Sequence, residues 1–118
     1  MTDTFEQVEI ESIQLNSLAE LDLLVSEKFN LPLRPYSTDI RAALELVAWD
    51  LENSIAPHFE IFRTEEHSLP GLPFVVSFQP NPDVWGYGET PALAICQTAL
   101  FWHKRIKANL VLTQESHS

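Results

Sequence analysis

The chain has 118 residues, 45% hydrophobic and 20% charged, proportions that fit one globular domain with a single core and exclude a disordered or fibrous chain. Seventeen acidic residues against seven basic ones leave a formal net charge of −10, which provides no footprint for duplex nucleic acid or an anionic membrane surface. No apolar run approaches the roughly eighteen residues of a membrane span, the start from Met1 to Ile10 lacks the pattern of a secretory signal, and a single cysteine forms no internal disulfide, so the cytoplasm is the expected compartment.

Residues 1–16 read as an N-terminal arm or short strand, with Phe5, Val8, Ile10, Ile13 and Leu15 set among acids and glutamines. A single α+β domain is expected over 17–107. It opens with Ser17 and Glu20 at the spacing of a capping box. Leu18, Leu21, Leu24 and Val25 then share a helical face, and Asp22 and Glu27 turn away. Pro32 and Pro35 end that helix and hold the next residues extended.

A second helix begins after Pro35, with Ser37 or Thr38 as its cap and Asp39 in the first turn. Ile40, Ala43, Leu44, Val47, Leu51 and Ile55 form its apolar stripe, and Arg41, Glu45, Asp50 and Glu52 lie on or near the wet side. Three strands follow, at 59–64, 74–78 and around 84–87. Their short, proline-rich links suit an antiparallel meander. The last helix takes Thr90 as cap and Pro91 at its first position. From Ala92 to Trp102 it is apolar almost all round, as a helix buried on more than one side should be. His103, Lys104, Arg105 and Lys107 then place positive charge at the favourable end of the helix dipole. Residues 108–118 are expected to form a loose tail. The fold class is therefore α+β, a three-stranded antiparallel meander with three helices in an α/β/α-type sandwich, the last helix central.

The chemistry-bearing residues form no catalytic signature. Cys96 and His103 are two helical turns apart, roughly 10 Å by helix rise, too far for a nucleophile and its base. Cys96 reads as a small core residue. His58, His67 and His117 lack ligand spacing, so neither metal nor cofactor is expected. Three glycines, Gly71, Gly86 and Gly88, do not make a phosphate loop.

Binding chemistry is concentrated at two helix starts. Orphan N–H groups near Ser37, Thr38 and Thr90 would favour a carboxylate or phosphate. Arg34 and Arg63 would complete such a pocket, and Tyr36, Trp85 and Tyr87 would stack on a ring. The competing reading is structural, because every helix needs caps and Tyr36 or Trp85 equally serve to close a core. Gly86 and Gly88 flank Tyr87 and allow a ligand or another backbone close approach.

Leu23-Leu24-Val25-Ser26-Glu27-Lys28, Pro35-Tyr36-Ser37-Thr38-Asp39-Ile40-Arg41-Ala42-Ala43 and Thr90-Pro91-Ala92-Leu93-Ala94-Ile95-Cys96-Gln97-Thr98-Ala99-Leu100 occur in this order, and together they resemble the phage ABA sandwich domain proteins over about residues 18–102. The chain departs from the family pattern at Phe29 and Asn30, where glycine and tryptophan are usual, and at Gln97, where arginine is. The resemblance implies a small phage or prophage protein with helices covering a small antiparallel sheet. More distantly, it implies a similarity of class to phage anti-defence proteins that sequester immune signalling nucleotides. The expectation is a non-enzymatic phage accessory protein, a homo-oligomeric sponge for a small anionic or nucleotide-like ligand. The alternative is an acidic module that docks on a host or phage protein. An enzyme is the third reading, which convergence of Arg63, His58 and Glu60 in one cleft would favour.

Overall fold

The computed structural model describes residues 9–64, 72–79 and 86–111. Strand β1 (Glu11–Leu15) is followed by helices α1 (Leu18–Phe29) and α2 (Ile40–Asn53). Strands β2 (Glu60–Arg63), β3 (Phe74–Ser77) and β4 (Gly86–Gly88) come next, then helix α3 (Pro91–Lys104) and strand β5 (Ile106–Leu110). The protein is α+β. β2, β3 and β4 form an antiparallel sheet in chain order, and β1 and β5 form a separate parallel pair. No described helix is long and apolar enough to cross a membrane.

α1 starts as its capping box predicts. Ser17 Oγ accepts from the Glu20 N–H at 3.1 Å, although Glu20 reaches back one residue further than usual, to the Asn16 N–H at 2.8 Å. Leu21, Leu24, Val25 and Phe29 are buried along one face. Full burial of side chains this size contributes about 1.5–3 kcal/mol each. Asn30 ends the helix at φ 56°, one of the few residues besides glycine that accepts the left-handed region.

α2 departs from expectation in two ways. Its cap is Asp39, whose carboxylate accepts from the Arg41 N–H at 2.9 Å, and not Ser37 or Thr38. Its buried face is Ala42, Ala43, Leu46 and Asp50. Of the expected stripe, Ile40, Leu44, Leu51 and Ile55 are exposed and only Ala43 is fully buried. Two alanines bring α2 close to α3, and that proximity selects the less apolar side of the helix.

α3 packs against β3, β4, β5, α1 and α2. Ala92, Ala94, Ile95, Cys96, Thr98, Ala99 and Leu100 are buried round its circumference. The glycines of β4 explain how close it comes. A β-carbon at Gly86 would lie 1.6 Å from Thr98 Oγ1, and one at Gly88 would lie 2.6 Å from the Ala94 backbone nitrogen. The close approach that Gly86 and Gly88 permit is thus made by a helix of the same chain.

Residues 106–110 were expected partly as helix end and partly as loose tail. Instead Arg105, at φ 56°, turns the chain directly from α3 into β5. β5 runs through Leu110, alongside β1 in register from Glu11↔Ile106 to Leu15↔Leu110. The two segments flanking the expected domain therefore complete each other.

Gly86→Ala and Gly88→Ala should each lower stability by about 1–3 kcal/mol, as overpacking does. Thr98→Ala should recover part of the loss in Gly86→Ala and none in Gly88→Ala, because only the first clash involves the threonine hydroxyl. A thermal-denaturation double-mutant cycle measures both couplings.

Candidate functional site

The first helix entrance, at residues 34–41, is filled by its own neighbours. Tyr36 is completely buried, and its hydroxyl donates to the Pro32 carbonyl. Burial, followed by the nearby Glu45 carboxylate, pushes its phenol above the usual value. Ser37 is buried too, and its N–H donates to Asp22 Oδ1 at 2.8 Å. Asp22 therefore does not turn away from the protein as expected but secures the loop before α2. The N–H groups of Thr38 and Asp39 both donate to the Pro35 carbonyl. Arg34 pairs with Glu45 at 3.1 Å on the surface. These N–H groups and side chains already have partners within the chain.

The second entrance is different. Thr90 Oγ1 accepts from the Leu93 N–H at 3.2 Å, the expected cap. Beside it lies a hollow of about 680 Å³ lined by Leu72, Glu89, Leu93, Gln97 and residues 108–111. That is within the usual size range of a ligand cleft. None of the seven described residues among those expected to bind lines it. Thr90 adjoins it through Glu89 and Leu93, and Tyr87 lies half-buried within β4, opposite Val75. Arg63 stands over the Phe74 ring at 5.9 Å. Trp85 lies outside the described residues, as do His67 and His117.

One wall of the hollow is an edge of β5. Toward β1, the Arg105 carbonyl accepts from the Glu11 N–H and the Val111 N–H donates to the Leu15 carbonyl. Strand alternation then points the backbone groups of Ile106, Ala108 and Leu110 to the opposite edge. The Ala108 carbonyl on that edge accepts from Gln97 Nε2 at 3.4 Å. β5 has no strand partner on that side among the described residues. The lining is mostly apolar, with two amide side chains and one carboxylate, and no lysine or arginine.

A second cluster went unrecognised in the sequence. Asp50, assigned to the wet side, is 1% exposed. Its carboxylate accepts from Ser54 Oγ at 2.7 Å and from the His58 N–H at 3.2 Å, and lies 3.1 Å from His103 Nε2. The His103 ring sits among Phe29, Trp49 and Phe78, and Lys104 lies over Phe29 and Trp49. Burial holds the imidazole below its ordinary pKa, against the opposing pull of Asp50. His103 therefore does not serve as the positive helix end expected of it. Its position four residues after Leu46 and seven after Ala43 would have placed Asp50 on the buried face.

Cys96 is fully buried, and burial pushes its thiol up. His58 Nε2 stands 3.4 Å from Glu60 Oε2, but Arg63 is three residues further along β2, about 10 Å by strand rise and on the opposite face. Among the described residues no group of three or more His, Cys, Asp or Glu side chains is placed to hold a metal. Comparison of the chain with protein-family models, curated proteins and solved structures finds no match.

Asp50→Asn replaces one carboxylate oxygen by an amide donor, which is set against either the Ser54 hydroxyl or the His58 N–H, and removes the carboxylate charge beside His103. It should cost about 1–3 kcal/mol, read as a lower melting temperature. The folded state holds the His103 pKa below its ordinary 6.5, so below that pH the unfolded chain binds a proton that the folded chain resists. Stability should therefore fall as pH drops through and below about 6.5, and His103→Gln should flatten that part of the profile. Denaturant titrations from pH 8 to pH 5 check the slope.

Proposed function

We propose that this chain is a non-enzymatic binding module whose ligand is an extended segment of a partner protein, laid along the open edge of β5 in the hollow beside α3. The observation carrying this reading is an edge of β5 that has no strand partner among the described residues and faces a hollow of ligand size. An added strand gains affinity from main-chain hydrogen bonds at the edge and selectivity from side-chain pockets. Leu72, Leu93 and Leu110 supply apolar contacts, and Gln97 and Asn109 supply donors and acceptors. Glu89 at the rim and the overall charge of −10 favour a segment with basic residues.

The nucleotide sponge has weaker support. Its first entrance is occupied from within, and among the described residues the hollow at the second offers a carboxylate but no cation to an anionic ligand. The resemblance to the phage ABA sandwich domain proteins supports reading the helices and sheets as one layered sandwich with α3 at its centre, in a small phage or prophage protein.

A display library of extended peptides tests the proposal. Enriched peptides should alternate apolar residues and carry lysine or arginine. Leu93→Arg and Leu110→Arg, checked for folding by melting temperature, should weaken binding at least tenfold. Failure to enrich any peptide, or binding indifferent to both variants, overturns it. Calorimetry with cyclic nucleotides and ADP-ribose derivatives provides the contrast, since stoichiometric binding there would restore the sponge.

A further inference from the structure

The wet side of α2 is not wet. Ile40, Leu44 and Leu51 are exposed at 41%, 46% and 59%, and Val47 is half-buried between them. At 100° per residue these four fall within about 60° of one another, on a stripe distinct from the buried face of Ala42, Ala43, Leu46 and Asp50. Their intervals of four, three and four residues are those of a coiled-coil seam. The same intervals result when the helix is read backwards, so the stripe is complementary to itself in antiparallel orientation.

We infer that a second copy of this chain covers the stripe, through an antiparallel α2–α2 pairing about a two-fold axis. In that register Ile40 lies opposite Leu51 of the second copy, and Leu44 lies opposite its Val47. The flanking charges fit. Arg41 and Glu52 lie on the same side of the stripe, and neither forms a salt bridge among the described residues. The neighbouring Glu45 is engaged by Arg34. In an antiparallel pair a given flank meets the same flank of the other helix, so Arg41 of each copy comes within side-chain reach of Glu52 of the other. Two such pairs flank the apolar seam and locally offset the repulsion between two acidic chains. A foreign helix would need its own matching charges, whereas a second copy already carries both.

α2 spans only about 21 Å at 1.5 Å per residue, so the contact is near the small end of specific interfaces. A dissociation constant of order micromolar is expected. α3, the other apolar helix, is spent within the chain on its own strands and helices. The seam is separate from the hollow at β5, with no residue in common.

Sedimentation equilibrium of the full chain from about 1 to 200 µM, at near-physiological salt, tests the inference. The chain should pass from monomer to dimer across that range. Leu44→Glu, at an exposed position, should keep the melting temperature of the monomer and raise the dissociation constant at least tenfold. Arg41→Glu and Glu52→Arg should each weaken the dimer, and the two together should restore it to within threefold. Leu110→Arg, in the β5 hollow, should leave association unchanged, which separates failure here from failure of the peptide-binding reading. A monomer throughout, or a dimer that persists in Leu44→Glu, overturns the inference. A dimer lost in Leu44→Glu but not restored by the double charge exchange also overturns it, because the antiparallel register is then wrong.

Discussion

The fold depends on how near α3 comes to β4. Two missing β-carbons, at Gly86 and Gly88, let the backbone of a three-residue strand lie against Thr98 and Ala94. Everything else takes its position from that contact. β3 and β5 also pack on this helix, as do α1 and α2. The helix places Ala94 and Thr98 against the glycine backbone, and it also buries Ile95 and Leu100. Dispersion forces and apolar burial both grow as such surfaces approach, so a glycine strand against a small-residue helix face gains in proximity what it lacks in side-chain area.

A polar tie completes the far end of this packing. Asp50 joins the end of α2 to the end of α3 and to the start of the segment leading into β2, through Ser54, the His58 amide and His103. A buried carboxylate is costly unless its oxygens are satisfied, and here donors from separate parts of the chain converge on it. Such an arrangement specifies one docking of the two helices more sharply than apolar contact alone. The aromatic enclosure of Phe29, Trp49 and Phe78 keeps water from competing for the same groups.

The two surfaces proposed for binding follow from where packing stops. β5 is covered on one edge by β1 and leaves the other facing the hollow; α2 spends its small-residue face on α3 and leaves its larger aliphatic side chains outside. Neither surface relies on a reactive side chain. Both present ordinary groups, backbone amides in one case and methyls in the other, in an arrangement that lacks its complement within a single described copy.

Local chemistry was legible in the residues themselves. The capping box at Ser17, the cap and proline at Thr90 and Pro91, the antiparallel run of three strands and the burial of α3 on more than one side follow from spacing and propensity, which act over a few residues. The alternation of Ile106, Ala108 and Leu110 with Lys107 and Asn109 was equally present, but the basic residues beside it read as a helix end. Sequence by itself decided that three helices and an antiparallel run of three strands form, and how α1 and α3 begin. Only tertiary structure decided which side of α2 is buried, because two alanines and an aspartate beat a stripe of leucines and isoleucines once a close-approaching neighbour rewards small side chains and supplies hydrogen-bond donors. It alone decided between the two readings of Tyr36, as binding group or core residue, in favour of the core, buried Ser37 beside it, and brought β1 and β5 together across almost the full length of the chain. Burial and partnership are properties of what lies opposite a residue, and what lies opposite comes from elsewhere in the sequence.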